Sequence, residues 1–116
     1  MKIINSADVP SAPVAMEGAA GAHRQLPIGR ADGAPSFSLR VFTLEPLGHT
    51  PFHNHAWEHE NYVIEGEGVV VAADGSERPV KTGDFVLVLP NEKHQYRNTS
   101  PTEKLRFICA VPKEYE

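Results

Sequence analysis

A chain of 116 residues, 41% hydrophobic and 22% charged, has the length and mixture of one folded domain, which excludes a disordered polymer and a pair of domains. Eleven basic against fifteen acidic residues give a net charge of −4, which argues against nucleic acid or an anionic membrane as partner. One cysteine, Cys109, excludes an intrachain disulfide and a multi-cysteine zinc module, and no apolar run is long enough to span a bilayer.

Ala, Gly and Pro dominate residues 7–22, where Pro10, Pro13, Gly18 and Gly21 interrupt every helical run. Residues 1–26 are therefore expected to form an extended arm, with at most a short strand over 23–26. Such an arm is either frayed or exchanged with a second copy in a dimer. Ile3-Ile4 followed by Asn, Ser and Asp is no signal-peptide core, so a cytoplasmic location is expected.

Residues 27–116 read as the domain proper. Phe37, Leu39, Val41 and Thr43 alternate with Ser38, Arg40, Phe42 and Leu44, a strand with apolar groups on both faces. Glu45-Pro46-Leu47-Gly48 is expected to break it. Strands follow over 58–64, 69–72, 78–81, 85–89 (buried), 94–98 and 105–111. They are separated by Glu65-Gly66-Glu67-Gly68, the hairpin signal Asp74-Gly75, Gly83-Asp84, Pro90-Asn91-Glu92 and Thr99-Ser100-Pro101. About eight short strands at regular spacing, with no helical stretch, predict an all-β sandwich or barrel. Gly66-Glu67-Gly68 lacks the later glycine and following helix of a phosphate cradle and reads as a tight hairpin.

The stretch His53-Asn54-His55-Ala56-Trp57-Glu58-His59-Glu60 carries the chemistry. On a strand, residues two apart face one side, so His53 and His55 can aim two imidazoles at one point. His59 has the same parity and can close on that point after a short turn. His94, at the start of a strand after Pro90-Asn91-Glu92-Lys93, is the natural fourth member.

These residues resemble the two motifs of the cupin superfamily. The first motif is matched by His53-x-His55, three residues, His59, six residues and Gly66; the second by Gly83-Asp84, Pro90, His94 and Asn98. The leading glycine of the first motif falls on Leu47, with Gly48 one place on, and the proline of the second sits one place late. His59 stands where most cupins carry a glutamate ligand, and the adjacent Glu60 fits the alternative spacing, so the choice between the two stays open. The likeness is greatest to small four-histidine, manganese-binding cupins. It runs over residues 26–114 and takes in Trp57-Glu58-His59-Glu60, Pro90-Asn91-Glu92 and Pro112-Lys113-Glu114. It implies a double-stranded β-helix (jelly-roll barrel), one divalent metal on His53, His55, His59 and His94, and a homodimer.

Neutral imidazole is a good ligand for Zn, Fe, Cu and Ni and a workable one for Mn; the preference for manganese comes from the resemblance alone. Four neutral ligands leave the full +2 charge and two octahedral positions for waters, dioxygen or a small, anionic substrate. Each imidazole must be deprotonated to bind, so metal should be lost in acid. The expected function is a metal-dependent oxygenase of the dioxygenase type acting on a small organic molecule. The alternatives are a small-molecule-binding or sensor cupin, and a cupin isomerase or decarboxylase. Parity offers pocket-lining candidates: Cys109 on the apolar face of the last strand, Tyr96 and Asn98 in phase with His94, Arg40 and Phe42 from the opposite strand, and Trp57, which reads more as a packing group than a lid. Glu58 and Glu60 read as groups that back the ligands or face solvent rather than as ligands, and His23 and His49 as surface residues.

Overall fold

A computed structural model describes residues 1–116. The strands are β1 (Ala12–Pro13), β2 (Ala20–Ile28), β3 (Phe37–His49), β4 (His59–Glu65), β5 (Glu67–Ala72), β6 (Glu77–Lys81), β7 (Phe85–Val88), β8 (His94–Asn98) and β9 (Leu105–Pro112). The only helical pieces are single 3-10 turns at Ser6–Asp8, Arg30–Asp32 and Lys113–Tyr115. All pairings are antiparallel, in the order β6-β5-β8-β3-β9-β4-β7, with β2 on the other edge of β3 and β1 beyond it. The expected all-β jelly roll is what forms.

The sheet curls because β3 serves both of its halves. Residues 37–44 run beside β9, whereas His49 at the far end pairs with Arg97 of β8. Glu45-Pro46-Leu47-Gly48 was expected to end this strand; instead it bends it. Leu47 takes a left-handed φ of 62°, and residues 45–48 of β3 fit against Gly21 alone of β2, between the pairs Ala22–Leu44 and Ala20–His49. Gly48 lies so close to β2 that a Cβ there would sit 2.7 Å from the Gly21 carbonyl oxygen, a position only glycine fills without displacement.

The short strand expected over residues 23–26 is the middle of the nine-residue β2, which pairs with β3 of its own chain. The strand expected to be buried over 85–89 is an edge strand. Phe85 is 81% and Leu87 54% exposed, while Val88 is buried, because β7 has a neighbour on one side only and turns alternate residues outward.

Between the halves lies a core of Ala22, Leu44, Val63, Val80, Tyr96, Leu105 and Phe107. β9 alternates strictly, burying Leu105, Phe107, Cys109 and Val111, as its parity predicts. The Tyr96 and Phe107 rings stack 4.1 Å apart. Asn98, in phase with His94, does not face the site: its Nδ2 donates to the carbonyls of Leu44, Glu45 and Glu103. A buried amide with that many backbone acceptors within reach serves to hold the 99–104 loop.

Candidate metal centre

The two histidine motifs meet because residues 49–55 run antiparallel beside β8. Thr50 N donates to Tyr96 O at 3.0 Å, and His53 and His94 exchange both backbone hydrogen bonds, at 3.1 and 2.9 Å. Asn91 N donates to His55 O at 2.7 Å, made possible by the left-handed φ of 65° at Asn91. His59 opens β4 opposite Val88 of β7.

The four rings converge. Five of their six pairs have centroids 4.9–5.3 Å apart. The ligand atoms of His53, His55 and His94 all lie within 4.8 Å of one another, so these three could hold a metal ion. His59 joins through Nε2, 3.2 Å from Nε2 of His94. Glu60, of opposite parity, is exposed, with its carboxyl pushed up by burial of its surroundings and by Glu58.

Hydrogen bonding prepares three of these rings for a cation. Nδ1 of His55 lies 2.9 Å from the Trp57 carbonyl, Nδ1 of His94 2.8 Å from the Glu92 carbonyl, and Nδ1 of His59 3.1 Å from Asn61 Oδ1. A carbonyl only accepts, so each Nδ1 carries the proton and each Nε2 keeps a free lone pair. Asn61 is fixed in turn by donating from Nδ2 to the Tyr96 hydroxyl. Burial, reinforced by the neighbouring imidazoles, lowers His59 to about 3 and His53 to about 4; burial also lowers His55 and His94. All four are therefore neutral at pH 7, the form that binds a metal.

The rings face a cavity of about 360 Å³, in the range of small-ligand sites. Its walls include Phe42, Trp57, Tyr96, Phe107 and Tyr115, with Arg40 as the one charged group beside the neutral histidines. Trp57 is clamped between the His55 ring, 4.4 Å away, and the Tyr115 ring, 4.0 Å away, all nearly parallel. Of the pocket candidates read from the sequence, Arg40, Phe42, Trp57 and Tyr96 line this cavity. Cys109 does not; it lies behind His59, with Sγ 3.2 Å from Nδ1. Its thiol is pushed up by burial and accepts from Arg40 Nη2 at 3.1 Å. His23 is half-buried, 3.9 Å from Glu45, and His49 rests beside Thr50 and Gln95. Two contributors escaped sequence reasoning. Asn61 was available from parity, two residues after His59 on the same face; Tyr115 reaches Trp57 only through the final 3-10 turn, and no spacing rule points to it.

Residues 40–111 match the Cupin domain family. Among solved structures, the chain is similar to the polyketide cyclase RemF from Streptomyces resistomycificus, at 34% identity over 97% of this chain and 79% of that one, with a TM-score of 0.91. A cupin 2 domain-containing protein from Halorhodospira halophila shares 36% identity over 80% of this chain and 65% of its own, with a TM-score of 0.75. A predicted oxalate decarboxylase from Thermotoga maritima shares the fold, with 22% identity, coverage of 97% and 99%, and a TM-score of 0.83. No curated protein matches the chain. No helix is long and apolar enough to cross a membrane.

Proposed function

Because this chain belongs to the cupin family, we propose that its histidine cluster holds one divalent metal ion and that the cavity closes a ring in a polycarbonyl substrate, as a polyketide cyclase would. The observation that carries the reading is the convergence of four neutral imidazoles on a cavity walled by aromatic rings. The 34% identity to RemF over nearly the whole chain supports the reaction class. When bound, the metal supplies Lewis-acid polarisation of a substrate carbonyl oxygen.

The remaining work falls to side chains of this protein. His53, His55, His59 and His94 present neutral nitrogens, three of them locked by the acceptors behind them. Phe42, Trp57 and Tyr115 wall the cavity with apolar ring surface against which a planar, partly conjugated chain loses its water. Burial pushes the Tyr96 hydroxyl up, so it stays protonated while Asn61 holds it. Four imidazole donors suit zinc, nickel, copper and iron and are workable for manganese, so elemental analysis of the purified protein decides the metal.

A second reading, oxygenation of the dioxygenase type, is favoured by the same donor set: His53, His55, His59 and His94 would hold a metal ion that would activate dioxygen beside the substrate. One experiment separates the two. The metal-loaded chain is incubated anaerobically with an aromatic polyketide bearing an unclosed β-dicarbonyl side chain. Ring closure with loss of one water, abolished by a chelator and restored by metal, is the expected result. Turnover that requires and consumes dioxygen would transfer the assignment to the oxygenase. Tight binding without turnover in either atmosphere would make the protein a binding module.

A further inference from the structure

The buried side-chain nitrogens and oxygens of this protein all find hydrogen-bond partners except two, Nε of Arg40 and Nε1 of Trp57. Both atoms are N–H donors, and both residues line the histidine cavity. A buried donor without an acceptor is costly and rare in native proteins, and two in the wall of one cavity point to an acceptor supplied from outside.

Arg40 is also without a counter-ion. It forms no ion pair with any carboxylate of the chain, whereas Arg30, Arg97 and Arg106 each do. Its one hydrogen bond goes to the thiol of Cys109, a weak acceptor. The guanidinium stacks over Phe42, with Cζ 5.0 Å from the ring centroid, which fixes its plane and leaves the fork without an oxygen partner. Arg24 lies on the adjoining strand, opposite Phe42, and likewise makes no ion pair. Its guanidinium is lowered by burial and by the Arg40 charge, with Glu116 acting in the opposite sense, so the positive charge at the cavity wall itself is that of Arg40.

We propose that Arg40, assisted by Trp57, is the substrate's anion receptor, and that it takes the carboxylate of an aryl or polycarbonyl acid so that the other end of the molecule lies against the histidines. A guanidinium fork matches the two oxygens of a carboxylate, and the aromatic walls accept the planar body attached to it. The inference rests on the proposed function for the reaction that follows binding, but recognition is measured without turnover.

The test uses benzoate and its neutral isostere benzamide as probes, with isothermal titration of the full-length protein as purified and of the variants Arg40→Gln and Arg40→Met. The second variant keeps the apolar stem over Phe42, and thermal melts confirm that each is folded. Benzoate should bind the unaltered chain at least about tenfold more tightly than benzamide, and both variants should lose at least about tenfold in benzoate affinity with benzamide binding changed less than about twofold. Benzoate affinity within about twofold of the unaltered chain in whichever variant folds overturns the proposal, because the metal alone would then hold the carboxylate. So does equal binding of the two probes by the unaltered chain. If the benzoate preference depends on Arg40 while no ring closure is observed, the receptor stands and the cyclase reading falls. If ring closure occurs and Arg40→Gln leaves it unaffected, the cyclase reading stands and the receptor falls.

Discussion

An imidazole becomes a metal ligand through what its other nitrogen does. Behind His59 that partner is Asn61, itself held by Tyr96. Replacing Asn61 by Leu frees the ring to rotate and leaves the Tyr96 hydroxyl buried without its donor. We expect Asn61→Leu to lower metal affinity by about 10–100-fold, measured by competition with a chromogenic chelator; affinity equal to that of the unaltered chain would remove Asn61 from the centre. Protonation acts on the same rings. His53 and His59 are lowered to about 4 and about 3 in the folded chain, chiefly by burial, against about 6.5 when unfolded. Between those values the unfolded chain binds more protons, so stability is complete above about pH 6.5 and drains away as pH falls toward 4 and then 3. The largely buried His59 contributes a slope of roughly 1.4 kcal/mol per pH unit across that window. The urea midpoint of the metal-free chain should fall between pH 7 and pH 5; a flat midpoint contradicts the burial of these rings.

At the level of elements, the bend in β3 matters most, because it carries the chain from the β9 half of the sheet to β8 and so sets residues 49–55 beside His94. The bend depends on contact between Gly48 and the backbone of β2. Gly48→Val should cost more than about 2 kcal/mol and weaken metal binding together with stability. Gly75, at φ 84° in the hairpin after β5 but with open space around it, should tolerate alanine at a cost of only about 1–2 kcal/mol, with metal affinity unchanged. Thermal melts of the two variants side by side test the distinction; equal losses would mean that the bend is not specially constrained. The final 3-10 turn is tied down differently. Glu116 accepts from Arg30 N at 2.9 Å and from the Ser38 hydroxyl, and this anchorage keeps Tyr115 flat against Trp57.

Over the whole molecule, core and site share side chains. Phe107 stacks on Tyr96 and, at 5.4 Å, on Phe42, and all three also face the cavity. Phe107→Ala should therefore destabilise the fold by about 3–5 kcal/mol and loosen the floor under the histidines. Denaturant unfolding with and without metal measures both effects. A variant that loses stability yet binds metal unchanged would separate the core from the site. The bound metal should raise the unfolding midpoint, since it binds only the folded arrangement of the four rings.

The local sequence sufficed for whatever depends on period and punctuation. The strand alternation of β9, the Asp74-Gly75 hairpin and the common parity of His53, His55 and His59 all follow from backbone geometry that neighbouring residues impose on one another. The placement of His94 beside them came from motif resemblance, and the antiparallel track of residues 49–55 along β8 supplies its cause. Tertiary structure alone decided the rest. It made Glu45-Pro46-Leu47-Gly48 a bend and not a break, turned Phe85 and Leu87 outward on an edge strand, set Asn98 to hold a loop, put Cys109 behind His59, and left Arg40 and Trp57, which line one cavity, each with a buried unpaired donor. The physical reason is common to all five: a residue's spacing tells which way it points, but what it meets there depends on strands far away in the chain.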